Sequence, residues 1–211
     1  MVKIISLIFL FLFTVVTNVH AFGLSDLKSG DVVLLSLNCY ECRVIESETE
    51  SLFSHSGVVI VDETGLIKIA QSIGRVSLDS YKDFTKNKTP RTFVHVYRPR
   101  ELKNLSSVQY DKLTKNMREL FNQRFKGAPF DSRYIWNNVN AAGEELLYCS
   151  EFIAKFLDFF LSEKTVLAPI SYSKHYDYWL KYFKGNVPLN EPGNSPAAFS
   201  RDSRFEYIGK I

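Results

Sequence analysis

Gly57 to Ser72 constrains the fold more than any other stretch. Gly57-Val-Val-Ile-Val61 and Leu66 to Ser72 are apolar, β-branched runs separated by Asp62-Glu-Thr-Gly65. Short runs of this kind, bounded by turn residues, read as two strands of an antiparallel hairpin. A hairpin buries apolar surface only if other elements cover it. Asp31 to Leu37, after Ser29-Gly30, is a third such run, and Phe93 to Tyr97 is a fourth. Asn38 to Phe53 is polar and reads mostly as loop.

The helical pattern comes later. Ser106 with Gln109 three residues on forms a capping box, which predicts a helix over about 107–125. Val108, Leu113, Met117, Leu120, Phe121 and Phe125 share its apolar face. Gly127-Ala-Pro129 stops it, and 130–147 reads as irregular or briefly helical. A second helix begins near Ser150, with Cys149, Phe152, Ile153, Phe156, Leu157 and Phe160 at core-facing spacing. A short Tyr-rich helix covers about 173–183, and the tail with Pro188, Pro192 and Pro196 reads as extended. Strands in the first half with flanking helices predict an α+β fold, an antiparallel sheet or small barrel packed against helices.

The N-terminus bears on compartment. Met1-Val2-Lys3 precedes an almost unbroken apolar run from Ile4 to Val16, followed by Val19-His20-Ala21. This is the layout of a signal peptide over 1–21, leaving one domain over 22–211. The run falls short of the ~20 residues a membrane span needs, so no stable span is expected after cleavage; an uncleaved N-terminal anchor is the alternative. The expected location is periplasmic or secreted. Basic residues are scattered and the net charge is only +3, which gives no footprint for nucleic acid.

Three cysteines follow: Cys39, Cys42 and Cys149. An odd number in an oxidising compartment leaves at least one thiol free or paired with another chain. Cys39-x-x-Cys42 could form a disulfide or remain two loop thiols. A redox role lacks a long helix after the pair, and a zinc site lacks a second pair of ligands. No metal or cofactor is expected.

Cys149, at a helix start, has two readings. It fits the apolar stripe as a small core residue. A helix N-terminus also favours a thiolate, and its free amides can hold an oxyanion. His55 precedes the second strand and is the candidate general base. If Val61 pairs with Gly65, His55 falls opposite Gln71, which could then fix the ring's tautomer. A register change of one residue would put Ser56 there instead. His20, His95 and His175 are weaker candidates.

Four segments together resemble a family: Ser29-Gly-Asp-Val-Val, Phe53-Ser-His-Ser-Gly-Val-Val, Gly127-Ala-Pro-Phe-Asp131 and Tyr148-Cys-Ser-Glu-Phe152. They are similar to motifs of the YiiX/YebB-like cysteine hydrolases of the NlpC superfamily, related to lecithin:retinol acyltransferase. Lys184 to Glu191 and Ser195 to Phe199 resemble the family's tail segments. The resemblance implies a circularly permuted papain-like fold, which explains a histidine preceding the cysteine. It implies Cys149 as nucleophile, His55 as base and Gln71 at the position of the third polar residue, often Glu. Tyr148, Asp131 and Ser150 are expected to shape the substrate site, and Glu151 to be structural. The implied activity is an amidase or peptidase acting on a peptide or acyl substrate, with peptidoglycan fragments as one class. Lipid acyl hydrolysis or transfer, or a binding domain without catalysis, are the alternatives.

Overall fold

The computed structural model describes residues 22–211, so the expected signal peptide lies outside the described residues. Six strands form one antiparallel sheet: β1 (Val32–Leu35), β2 (His55–Val61), β3 (Ile67–Ile73), β4 (Arg75–Ser80), β5 (His95–Pro99) and β8 (Phe205–Lys210). Their spatial order is β4-β3-β2-β1-β5-β8, so the sheet is open, with β4 and β8 as its edges, and the small barrel is not formed. The two-residue strands β6 (Ala168–Pro169) and β7 (Pro192–Gly193) pair separately.

Strand alternation sorts the core into two faces. Val32, Leu34, Val58, Ile60, Ala70 and Val76 face the helices. These helices are α3 (Ser107–Leu120), which continues as a π-helical turn over Phe121–Phe125, and α4 (Cys149–Leu157). Phe121, Phe125, Phe152, Ile153 and Phe156 fill the layer between. Val33, Leu35, Val59, Ile69 and Val96 point the other way and are covered by Leu27, Val94 and Phe84 of α2 (Tyr81–Thr85). The helix α4 is buried on nearly every side, with Lys155 its one residue outside the buried set.

Several expectations change. The segment read as loop contains α1 (Tyr40–Glu48), whose N-cap is the sulfur of Cys39, which accepts from the Cys42 amide. Its polar surface hides the apolar positions Val44 and Ile45. The extended tail instead holds α6 (Pro196–Arg201) and the edge strand β8. Pro196 sits in the first turn of α6, where a missing N–H costs nothing. The Tyr-rich helix is α5 (Tyr176–Tyr182). The capping box of Ser106 and Gln109 is formed, but Val108 is 75% exposed and leaves the expected stripe. The hairpin pairs Val61 with Ile67, not with Gly65.

The Ser29-Gly-Asp segment has a structural role. The Ser29 hydroxyl accepts from the Val61 amide. Asp31, 1% exposed, takes two hydrogen bonds of 2.7 Å from the Arg98 guanidinium. This pair ties the entry of β1 to β5.

Candidate active site

Cys149 opens α4 and is the free cysteine, whereas Cys39 and Cys42 are joined as a disulfide. The α4 N-cap, Tyr148, provides no side-chain cap, so the first amides of the helix keep their donors free of one. The Ser56 hydroxyl, buried and without another partner, faces the Cys149 thiol. Burial pushes the thiol's pKa up; Ser56 and the backbone amides of Ser56, Ser150 and Cys149 itself pull against that. The resting group is therefore a neutral thiol at neutral pH, with donors already placed around the sulfur.

The thiol lies in the floor of a cleft. Its walls are mainly aromatic and aliphatic: Ile45 of α1, Tyr134, Tyr148, Ile170, Tyr172 and Trp179. Glu48 is the only charged residue in the lining, and Ser54, Ser150 and Asn194 supply polar atoms. Trp179 and Tyr172 pack edge to face at 5.1 Å between ring centres, and Tyr134 packs on Tyr148 at 5.8 Å. Asn194 donates through its backbone amide to the Tyr148 hydroxyl and through Nδ2 to the Ser150 carbonyl, while its buried Oδ1 has no partner.

His55 begins β2, opposite Leu35 of β1. Alternation turns its ring to the face opposite α4, where it lies 5.6 Å from the Phe84 ring. Its chain neighbours Ser54 and Ser56 turn toward the cleft and the thiol. The expected partner is present: His55 Nε2 and Gln71 Oε1 are 2.7 Å apart. The route to that contact differs from the expected one. Gln71 pairs with Gly57, two residues from His55, so the register shift of two kept both side chains on one face. The contact is diagonal, within reach of two long side chains.

A further residue completes this chain. Gln71 Nε2 donates to Asp79 Oδ2 at 2.6 Å, and Ser77 Oγ donates to the same oxygen at 2.6 Å. A carboxylate only accepts, so Gln71 must present its NH₂ to Asp79 and its carbonyl to His55. His55 therefore carries its proton on Nε2 and keeps Nδ1 as the basic nitrogen. Burial drives the His55 pKa down to about 4, against the upward pull of Gln71, so the ring is neutral at neutral pH. Asp79 was not foreseen because β4 was not read as a strand. The alternation of Ser77 and Asp79 along it, opposite Gln71 and Ile69, was the available signal.

The remaining expected residues divide. Tyr148 and Ser150 line the cleft. Asp131 is fully buried outside the lining and accepts from the Arg133 and Ile135 amides and Asn138 Nδ2, which organises the loop before α4. Glu151 is also fully buried, held by the Asn137 amide and by Lys155 at 2.7 Å. Among the described residues no hydrogen bond joins Cys149 to His55 directly.

No protein-family model matches the chain, and no curated protein does. Among solved structures, the metalloprotein YiiX from Escherichia coli O157:H7 (DUF1105) matches over 87% of this chain and 97% of its own. The TM-score is 0.73 and the sequence identity 18%. Among the described residues no group of three or more His, Cys, Asp or Glu side chains is placed to hold a metal ion. With nearly all of that neighbour matched, the chain has the YiiX fold.

Proposed function

We propose that the protein is an exported cysteine hydrolase of permuted papain-like design, cleaving an amide or ester through an acyl-enzyme on Cys149. The observation that carries this reading is a free thiol at an uncapped helix N-terminus on the floor of a cleft. Export rests on the leader-like residues 1–21.

The substrate carbonyl enters the cleft and the Cys149 sulfur attacks its carbon. His55 Nδ1 takes the thiol proton, and Gln71 Oε1 holds the Nε2–H so that the imidazolium is oriented as it forms. Asp79 supports that charge through the amide of Gln71. The amides of Cys149 and Ser150 hold the developing oxyanion. His55 then protonates the leaving group, and water releases the acyl group. This transfer requires the His55 ring to leave the Phe84 face and reach past Ser56 to the thiol, a rearrangement at the start of β2 that substrate binding would have to drive.

The apolar walls favour a substrate whose acyl part is uncharged, either an apolar peptide segment or a lipid acyl chain. Incubation with muropeptides and, separately, with phospholipids, followed by mass spectrometry, tests the reading. Products that disappear in Cys149→Ala support hydrolysis. Tight binding of either compound with no product from it would favour the second reading, a binding domain, to which the missing Cys149–His55 hydrogen bond points.

A further inference from the structure

The disulfide Cys39–Cys42 stands apart from this chemistry and differs from a purely structural crosslink in two ways. Its two sulfurs are unequally placed: Cys39 is exposed, whereas Cys42 is 5% exposed. An incoming thiolate therefore meets Cys39 first. The Cys39 sulfur also caps α1, accepting the Cys42 amide at 3.0 Å. A thiolate left on Cys39 would keep that donor and lie at the positive end of the helix. The pair sits in the first turn of a nine-residue helix, where the sequence alone predicts loop.

The pair is also wired to the cleft. Glu41, between the two cysteines, accepts from the hydroxyl of Tyr134 in the cleft wall. The same helix supplies Ile45 and Glu48 to the lining, and its C-cap Thr49 joins them. Glu48 in turn accepts from the His175 amide at 2.7 Å and from Trp179 Nε1 at 3.1 Å. The first turn of α1 is thus fixed by the disulfide and attached to the aromatic wall over Cys149.

We propose that Cys39–Cys42 is a thiol–disulfide exchange site, reduced by a protein dithiol, whose redox state sets how open the Cys149 cleft is. A thiolate of the dithiol attacks Cys39 Sγ, forming a mixed disulfide and releasing Cys42 as thiolate, which takes a proton. The second thiol of the donor loses its proton and attacks the donor sulfur of that mixed disulfide. Cys39 leaves as thiolate, and the donor becomes a disulfide. Two electrons pass from donor to pair. Without the crosslink the first turn of α1 frays, the contact of Glu41 with Tyr134 loosens, and Cys149 becomes more accessible. Neither part depends on hydrolysis, only on Cys149 lying in the cleft.

The test treats the folded protein with dithiothreitol and with glutathione buffers of graded ratio near neutral pH, then alkylates and maps the cysteines by mass. The expected result is reversible reduction of Cys39 and Cys42 with an unchanged far-ultraviolet circular dichroism spectrum, and a glutathione adduct mapped to Cys39 in Cys42→Ala. A pair that stays oxidised until denaturant unfolds the chain would overturn exchange. In parallel, the rate of Cys149 alkylation by iodoacetamide is compared between oxidised and reduced protein. A rise of about threefold or more on reduction, repeated in the Cys39→Ser/Cys42→Ser double variant, supports the coupling. Equal rates in the folded oxidised and reduced wild-type protein would overturn it. Loss of hydrolytic products with both results intact would fault the hydrolase reading alone.

Discussion

The two faces of the sheet near Ser56 carry different kinds of chemistry. On the α4 face Cys149 sits in a cleft of aromatic rings contributed by segments remote in sequence: Ile45 from α1, Tyr134 from the loop before α4, and Trp179 from α5. On the opposite face His55, Gln71, Ser77 and Asp79 form a polar relay carried by three consecutive strands. The surroundings of Cys149 come from tertiary packing, which local sequence does not encode. Those of His55 come from alternation and register within β2, β3 and β4, which it does. One strand residue, Ser56, separates the two.

The largest expected effect is on the cleft side. Cys149→Ala removes the proposed nucleophile and should lower turnover by at least ~10³-fold, while the relay stays intact. Assays on whichever compound is cleaved, with unchanged thermal unfolding as a control, check this.

The relay side should show itself in stability before activity. Folded His55 resists protonation down to about pH 4, against an ordinary value of 6.5. Between those values the unfolded chain binds a proton that the folded chain refuses. Stability from this group is thus complete above pH 6.5 and is lost as pH falls toward 4, by on the order of 3 kcal/mol. Glu151, raised by burial to about 6, acts in the opposite sense, contributing stability that declines as pH rises from 4.5 to 6. Urea titrations at several pH values should therefore show a steeper acid loss in wild type than in His55→Phe. Parallel curves would break the distinction between the faces.

Gly57 tests how tightly the relay face is packed. A Cβ there would lie 2.4 Å from Ile69 Cγ2 and 3.0 Å from the Phe84 ring, which itself packs on His55. Gly57→Ala should destabilise by about 1–3 kcal/mol, measured by denaturant midpoint. Asp79→Asn should leave stability nearly unchanged and lower kcat by roughly tenfold with little change in KM, because Asn can turn its NH₂ toward Gln71 and reverse the amide. A pH–rate profile identical to wild type would remove Asp79 from the site.

What was legible follows the same division. The hairpin, the helix at Cys149 and the contact of His55 with Gln71 were readable because period-2 and period-3.6 patterns are local. The contact was reached with the wrong partner for Val61, and it survived because a shift of two residues preserves the face. The helix α1 was hidden by its polar exposed side, since its buried positions find their partners in Tyr172 and Trp179 more than a hundred residues away. Strand β8 was hidden for a similar reason: its pairing with β5 joins positions far apart in sequence. Asp131 is expected at the site from its motif; it is buried outside the cleft lining and accepts from two backbone amides of the loop before α4.

The most direct measurement is the rate of Cys149 alkylation by iodoacetamide from pH 4 to 9, in wild type, His55→Ala and His55→Asn, with the fold verified for each. If His55 takes the thiol proton, wild type should react at least about tenfold faster than both variants near neutral pH, with the advantage fading as pH falls toward 4. Equal rates across that range in correctly folded proteins would contradict the pairing of Cys149 with His55.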